Sequence, residues 1–405
     1  MLPIPFSLLL AAATIHTNFE GGNLGREEVV SNQHLRLGLK GQTDQDGRNR
    51  QANWYYFRVE GVRVGQPFRI DLVDLPGEYN YKPNRGAVTK DTPPVISYDN
   101  ETWRHVTDFE YDAAGPKVTL KITPNKSRFW IAHTPPYTLR HLNRLRAVAG
   151  KQPSFQEEVI GKSVRGRSIY LWTIGKGPKT AWLMFRQHSW ESGSSWAGEG
   201  AVRALLSPEA AKLREEVTWK IFPLCDPDGV VLGGVRFNVN GYDLNRNWDV
   251  EDGVKMPEIA AQRGAVAKWI GSGRMIDFFV SLHNTETSEY LEGPPENGGK
   301  GRHAGFARRL FDLLKAKTTF APTRDLFFSE TTTTAGMKGR MTVSQGLYRD
   351  HGFATFIMEQ RISMNPKLGR LPGIDDRKRF GGELVRGVWE ALVSPNTTTG
   401  SDLRK

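Results

Sequence analysis

Cysteine is nearly absent. Cys225 is the only one in 405 residues, so no intramolecular disulfide can staple the chain, and cysteine usage does not report a redox compartment. The sequence also lacks a membrane-spanning run. Its apolar, uncharged opening, residues 1–13, is too short to cross a bilayer, which excludes an integral membrane segment there. No zinc-finger spacing, RNA-binding signature or long basic run occurs. The net charge of +11 comes from basic residues scattered among acids, so nucleic acid is not an expected partner. Such a charge either steers acidic substrates or is a solvated basic surface. No Lys or Arg precedes Arg26, yet the run ending in Ala11-Ala-Ala13 resembles a short secretory leader with cleavage near Ala13. A cleaved leader implies a secreted or periplasmic protein; otherwise the protein is cytoplasmic.

What is present reads as a folded, loop-rich protein of more than one domain, with 38% hydrophobic residues, 42 glycines and 23 prolines. Period-two alternation in Phe68-Arg-Ile-Asp-Leu72 and Val118-Thr-Leu-Lys-Ile122, broken by Gly, Pro and Asn clusters, predicts an antiparallel β-sandwich over residues 17–150. A short helix over 138–148 leads to the junction near 147–153. From there, strand-like runs alternate with helical stretches at 199–206, 259–270 and 305–315. This predicts an α/β domain over 151–395 with a mixed, largely parallel sheet flanked by helices, then a polar tail at 396–405.

The chemistry lies in the second half. A catalytic zinc takes three protein ligands and leaves a position for water. His188-x-x-Glu191 supplies two, directly after the apolar run Thr180-Ala-Trp-Leu-Met-Phe185. Such a pair is common by chance and usually a polar surface feature, but ligand crevices of open α/β sheets lie outside the carboxyl ends of the strands. By the same rule His283 follows Asp277-Phe-Phe-Val-Ser-Leu282, whereas the other histidines lack such a run or lie in loops or the first 150 residues, with His351 the nearest competitor. Glu359 ends the run Phe353-Ala-Thr-Phe-Ile-Met358, where an unpaired carboxylate is costly unless it has work to do. It suits the general base that a zinc hydrolase needs. Asp226-Pro-Asp-Gly reads as turn chemistry after the strand-like run 217–222. The Asn245-Arg246 pair offers a guanidinium fork and an amide to a terminal carboxylate.

Taken in order, His188-x-x-Glu191, the Pro227-Asp-Gly turn, Asp243-Leu-Asn-Arg246, His283 and Glu359 resemble the M14 zinc carboxypeptidases. Phe19-Glu-Gly-Gly-Asn-Leu-Gly25, Asn53-Trp-Tyr-Tyr-Phe-Arg58 and Phe129-Trp-Ile-Ala-His-Thr-Pro-Pro-Tyr-Thr138 resemble the small domain of the cytosolic carboxypeptidases, a subfamily that includes protein deglutamylases. The resemblance implies one Zn2+ per chain on His188, Glu191 and His283, with Glu359 as base and then proton donor to the departing amine. It further implies that Arg236 stabilises the oxyanion, that Asn245 and Arg246 hold the C-terminal carboxylate, and that peptide or protein C-termini are the substrate.

Three departures stand out. Ser189-Trp190 replaces the Pro-Gly usual between the first two ligands, and Lys338-Gly-Arg340 resembles a degenerate form of the subfamily's Gly-Thr-Gly-Arg motif, whose arginine is the expected contact for an acidic side chain, so this departure counts against glutamate specificity. The tyrosine that closes over substrate has only Tyr348 and Tyr290 as candidates. The polar stretch 329–336 reads as a surface loop or lid, and Cys225 as a small strand-end residue. Two other readings keep the fold: an aspartoacylase-like hydrolase of small N-acyl amino acids, and a non-catalytic peptide-binding relative. The N-terminal sandwich argues against the first, and the complete set of ligands and base against the second.

Overall fold

A computed structural model describes residues 13–296, 298–329 and 338–393. The readings of a leader, a polar tail and a lid rest on residues 1–12, 396–405 and 330–336, outside those described.

Two five-stranded sheets pack face to face in the N-terminal half. One runs Thr14–His16, Tyr56–Glu60, Arg128–Ala132, Val95–Ser97, Arg104–His105, and the other Phe109–Asp112, Lys117–Ile122, Phe68–Val73, His34–Gly38, Glu27–Ser31. Their alternating apolar residues, among them Leu35, Phe57, Ile70, Leu120 and Phe129, form one buried core, as period-two patterning requires. The pairing is antiparallel except between His34–Gly38 and Phe68–Val73. A smaller antiparallel sheet, Gln42–Thr43, Arg50–Gln51, Gly77–Tyr79 and Lys82–Asn84, belongs to the same half.

The second half is built on an eight-stranded mixed sheet. From edge to edge it runs Phe155–Lys162, Ser168–Ile174, Val217–Phe222, Lys179–Phe185, Phe278–Thr285, Thr355–Arg361, Tyr290–Gly293 and Phe327–Phe328. Its four central strands pair parallel. Alternate residues of Lys179–Phe185 feed different cores. Ala181, Leu183 and Phe185 meet the helices Leu139–Ala149, Ser192–Leu206, Ala304–Lys317 and Ile374–Val393; Trp182 and Met184 meet Pro257–Gly271 and Val343–His351. Burial on both faces explains why these strands read as continuous apolar runs.

Some boundaries differ from the sequence expectation. The helix expected at 199–206 begins at Ser192, because the Gly-Ser-rich segment that looks like a loop is buried from Ser192 to Ala201. Pro227-Asp-Gly is a helix start rather than a simple turn: Asp226 caps Pro227–Leu232 by accepting from Gly229 N at 2.8 Å, and proline sits in the first turn. His283 and Glu359 lie inside their strands, two residues before each ends. No helix among the described residues is long and apolar enough to cross a membrane.

Candidate metal centre and substrate cleft

The strand Lys179–Phe185 ends in a turn that sets the first two ligands. Arg186 takes a left-handed backbone (φ 63°) and is 2% exposed. Its Nε and a terminal nitrogen donate to Ser189 O at 2.9 and 2.6 Å, and its other terminal nitrogen to Ser195 Oγ at 3.1 Å, fixing the loop between His188 and Glu191. Glu191 then begins the helix Ser192–Leu206, whose N-terminal end favours a negative charge. His283 comes from the neighbouring central strand, in register with Glu359 on the next.

These elements bring His188, Glu191 and His283 together, with one ligand atom of each within 4.8 Å of the others and all three side chains buried. It is the one such group among the described residues. His188 Nδ1 lies 2.7 Å from Glu191 Oε1, and His283 Nδ1 2.9 Å from Glu191 Oε2. On the far side of each ring, His188 Nε2 faces Asp243 Oδ1 at 3.0 Å, while His283 Nε2 faces Gln187 Oε1 at 3.1 Å and Ser281 Oγ at 2.9 Å. Those acceptors call for protons on both Nε2 atoms, which leaves two Nδ1 lone pairs aimed at a carboxylate. Acceptors converging in this way need a cation between them, and the set of two imidazoles and a carboxylate, oriented by outer partners, suits zinc. Without a metal, protons on the two rings take the cation's place: burial alone would raise the Glu191 carboxyl, but the positive charges of His188 and His283 hold it down at about 2.

Asp243 joins two parts of the site. It also accepts from Arg236 Nε at 2.6 Å, and despite burial Arg236 and His188 hold its carboxyl well below the usual range. Glu359 lines the adjoining cleft, with Oε2 buried and without a hydrogen-bond partner; burial and the nearby Glu191 push its carboxyl well above the usual range. The cleft, about 770 Å³, lies between the domains and takes Asn53, Tyr79 and Lys90 from the first and Arg236, Glu286 and Glu359 from the second.

The remaining candidates fall on one side of it. Arg246 donates to Asn245 O at 2.8 Å and, with Arg340, lines a small recess. Asn245 is buried, its Oδ1 accepting from Val343 N at 3.0 Å and its Nδ2 3.3 Å from His283 Nε2. The two oxygens of Asp249 hold the Arg340 loop through the amides of Gly339 and Met341. Tyr290 is in register with Glu359 on the adjacent strand, whereas Tyr348 donates to Glu296 Oε1 at 3.1 Å. His351 ends a helix and stacks on Phe353. Cys225 lies beyond the end of its strand, buried, its thiol pushed up by burial.

Several residues were not legible as part of the site. Gln42, from the first domain, accepts on Oε1 from the amides of Val235, Arg236 and Phe237 at 2.9, 2.7 and 2.9 Å, and its Nε2 donates to Phe237 O at 2.7 Å. It thereby fixes the backbone that carries Arg236. The unusual Trp190 is 3% exposed and stacks on His133 of the first domain (5.7 Å), which stacks in turn on Tyr55 (5.5 Å). Asp243 had a signal, since a carboxylate commonly orients a ligating histidine; Gln42 had none.

The profile of zinc carboxypeptidases matches residues 141–292, and that of the cytosolic carboxypeptidase N-terminal domain matches residues 15–133. This chain belongs to the M14 zinc carboxypeptidase family. Among M14 relatives, human cytosolic carboxypeptidase 2 is 27% identical over 348 residues, covering 77% of this chain and 37% of the human protein. An uncharacterized protein of Zymomonas mobilis is 29% identical over 291 residues, covering 70% of this chain and 71% of its own. The chain spans between 27 and 61% of the length of the cytosolic carboxypeptidases it matches. In fold it is similar to a crystal structure of a metallo-carboxypeptidase from Burkholderia cenocepacia, with a TM-score of 0.79 at 23% identity over 94% of this chain and 99% of that one. A metallo-carboxypeptidase from Pseudomonas aeruginosa superposes with a TM-score of 0.78 at 23% identity, over 94% of this chain and 98% of that one.

Proposed function

We propose that this chain is a zinc-dependent metallocarboxypeptidase that hydrolyses the last peptide bond of peptides or proteins. The observation that carries the reading is the convergence of His188, Glu191 and His283 beside Glu359 and Arg236 at one interdomain cleft. His188, Glu191 and His283 hold one Zn2+, which when bound supplies Lewis-acid polarisation of the scissile carbonyl and of the attacking water.

The protein's own groups do the rest. Arg246, with Asn245 beside it, binds the C-terminal carboxylate, so that only the last peptide bond reaches the metal centre. Glu359 takes a proton from the water and delivers it to the departing amine as the carbon–nitrogen bond breaks. Burial and the charge of Glu191 raise the affinity of Glu359 for a proton despite the nearby Arg236, which suits a carboxylate that must hold one in transit. Arg236, fixed through Nε by Asp243, faces the negative charge that develops on the carbonyl oxygen. Arg340 lines the recess behind Arg246 and favours an acidic C-terminal residue.

The test is mass-spectrometric release of C-terminal amino acids from a mixed peptide library, with and without a chelator and with zinc restored. Stepwise, chelator-sensitive loss of single residues is the expected outcome. No release by protein carrying stoichiometric zinc would overturn the reading and turn attention to small N-acyl amino acids.

A further inference from the structure

We propose that Glu286 forms a subsite for the free α-amino group of the residue that precedes the scissile bond, and so makes dipeptides the favoured substrates. The proposal rests on the carboxypeptidase reading and adds to it a substrate class, fixed on the side of the metal centre away from Arg246.

Glu286 directly follows the strand Phe278–Thr285 that carries His283. Its backbone is held, because Glu286 O accepts from Ser363 N at 3.0 Å, and its side chain lines the interdomain cleft with Trp190, Glu191 and Glu359. The recess and the cleft meet at Gln51, Tyr79 and Arg236, whereas Arg246 lines the recess alone and Glu286 the cleft alone. A peptide whose C-terminal carboxylate rests on Arg246, with its last peptide bond at Arg236 and the metal ligands, therefore continues towards Glu286.

Little answers the Glu286 carboxylate. Among the described residues it accepts one hydrogen bond from another residue, a long one from Asn53 Nδ2 at 3.4 Å, and it forms no ion pair. The cation that acts on it, Arg236, is committed to Asp243 Oδ2 at 2.6 Å. A divalent ion on His188, Glu191 and His283 answers the charges of Glu191 and Glu359, which leaves Glu286 as the surplus negative charge of the centre. Burial, and after it Glu191, push its carboxyl above the usual range in spite of Arg236. A carboxylate so placed calls for a cation from the substrate.

The position next to the reacting bond decides which cation. In any peptide the α-nitrogen of the residue that supplies the scissile carbonyl is separated from the carbonyl carbon by the α-carbon alone. In a longer peptide that nitrogen belongs to a neutral amide; in a dipeptide it is an ammonium with a full positive charge. The ammonium gains a charge-assisted hydrogen bond on Glu286 where the amide gains a weaker one. The cleft, about 770 Å³, also admits longer chains, so Glu286 ranks substrates without excluding them.

The discriminating experiment compares Ala-Ala and Ala-Glu with N-acetyl-Ala-Ala and N-acetyl-Ala-Glu, for the zinc-loaded wild type and for Glu286→Gln. We expect the wild type to favour the free amines about 10- to 100-fold in kcat/KM, and Glu286→Gln to lose that preference while its kcat/KM for the acetylated peptides changes less than about 3-fold. In parallel, calorimetric titration of zinc-loaded Glu359→Gln, in which turnover is slowed, should show the same preference in affinity, removed when Glu286→Gln is added. No preference for free amines in the wild type, a preference that survives Glu286→Gln, or an equal loss on free and acetylated peptides would overturn the subsite while leaving the carboxypeptidase reading intact. A binding preference that Glu286→Gln removes, in a protein that cleaves none of the peptides, would support the subsite and overturn the enzyme reading instead.

Discussion

The two halves of the molecule divide the work unequally. Every residue assigned to metal or proton chemistry comes from the α/β half, from a turn after one central strand and from within two others. The sandwich half contributes no ligand and no base, yet it reaches the site at several points: Gln42 on the backbone around Arg236, His133 on Trp190, Asn53 Nδ2 on Glu286 Oε1 at 3.4 Å, and Arg48 in the recess. The difference teaches that a domain without reactive groups can still shape a reaction, by fixing the backbone and walls around groups that another domain supplies.

Breaking the chemical half should cost most. His283→Ala should abolish both zinc retention, read by metal analysis, and turnover. Glu359→Gln should keep one zinc per chain while kcat falls about 10²- to 10⁴-fold; full activity in that variant would remove Glu359 as the base.

The sandwich half carries the next effect, through acid. Burial holds the His133 imidazole neutral, lowering its pKa to about 4. A histidine freed by unfolding protonates below about 6.5, so the unfolded chain gains protons that the folded one refuses. Stability should therefore be complete above pH 6.5 and decline by about 3 kcal/mol from this group as the pH falls towards 4. Denaturant unfolding across that range should show the decline, and His133→Phe should reduce it by this group's share, leaving the part that the buried His141 contributes.

Between the halves lies Asp243, which ties a ligand to Arg236. Asp243→Asn should weaken zinc about 10- to 100-fold in a competition titration with a chelator, and an unchanged affinity would confine its role to Arg236. The most pointed test of the comparison is Gln42→Ala. Losing the hydrogen bonds to the 235–237 backbone should lower kcat about 10-fold with little change in KM or zinc content. Unchanged kcat would mean that the sandwich does not position Arg236.

Much of this was legible because buried parallel strands write themselves as unbroken apolar runs. The runs before His188, His283 and Glu359 all became central strands of one sheet, and the resemblance to M14 carboxypeptidases rested on residues at their ends. The helix Ile374–Val393 went unseen, although its apolar residues pack against Ser192–Leu206, and so did the early start of Ser192–Leu206 itself, since glycine and serine are poor helix formers whose placement here is dictated by burial. Pro227-Asp-Gly carries the residues of both a turn and a helix start, and only the cap on Gly229 N decides between them. Gln42 lay beyond reach for a different reason. Its meaning comes from partners nearly 200 residues away, and nothing in its immediate neighbourhood distinguishes it from an ordinary polar loop residue.

The stack of Tyr55, His133 and Trp190 has a thermodynamic consequence. Because Trp190 sits between the two ligands His188 and Glu191, the closeness of the domains and the occupancy of the metal centre act on the same short loop. By linkage, whatever free energy zinc adds to the seating of one domain on the other, that seating must return to zinc affinity. The boundary between the two halves is thus an adjustable element of the metal centre, and substitutions far from any ligand, in the sandwich face that meets Trp190, can tune how firmly the metal is held.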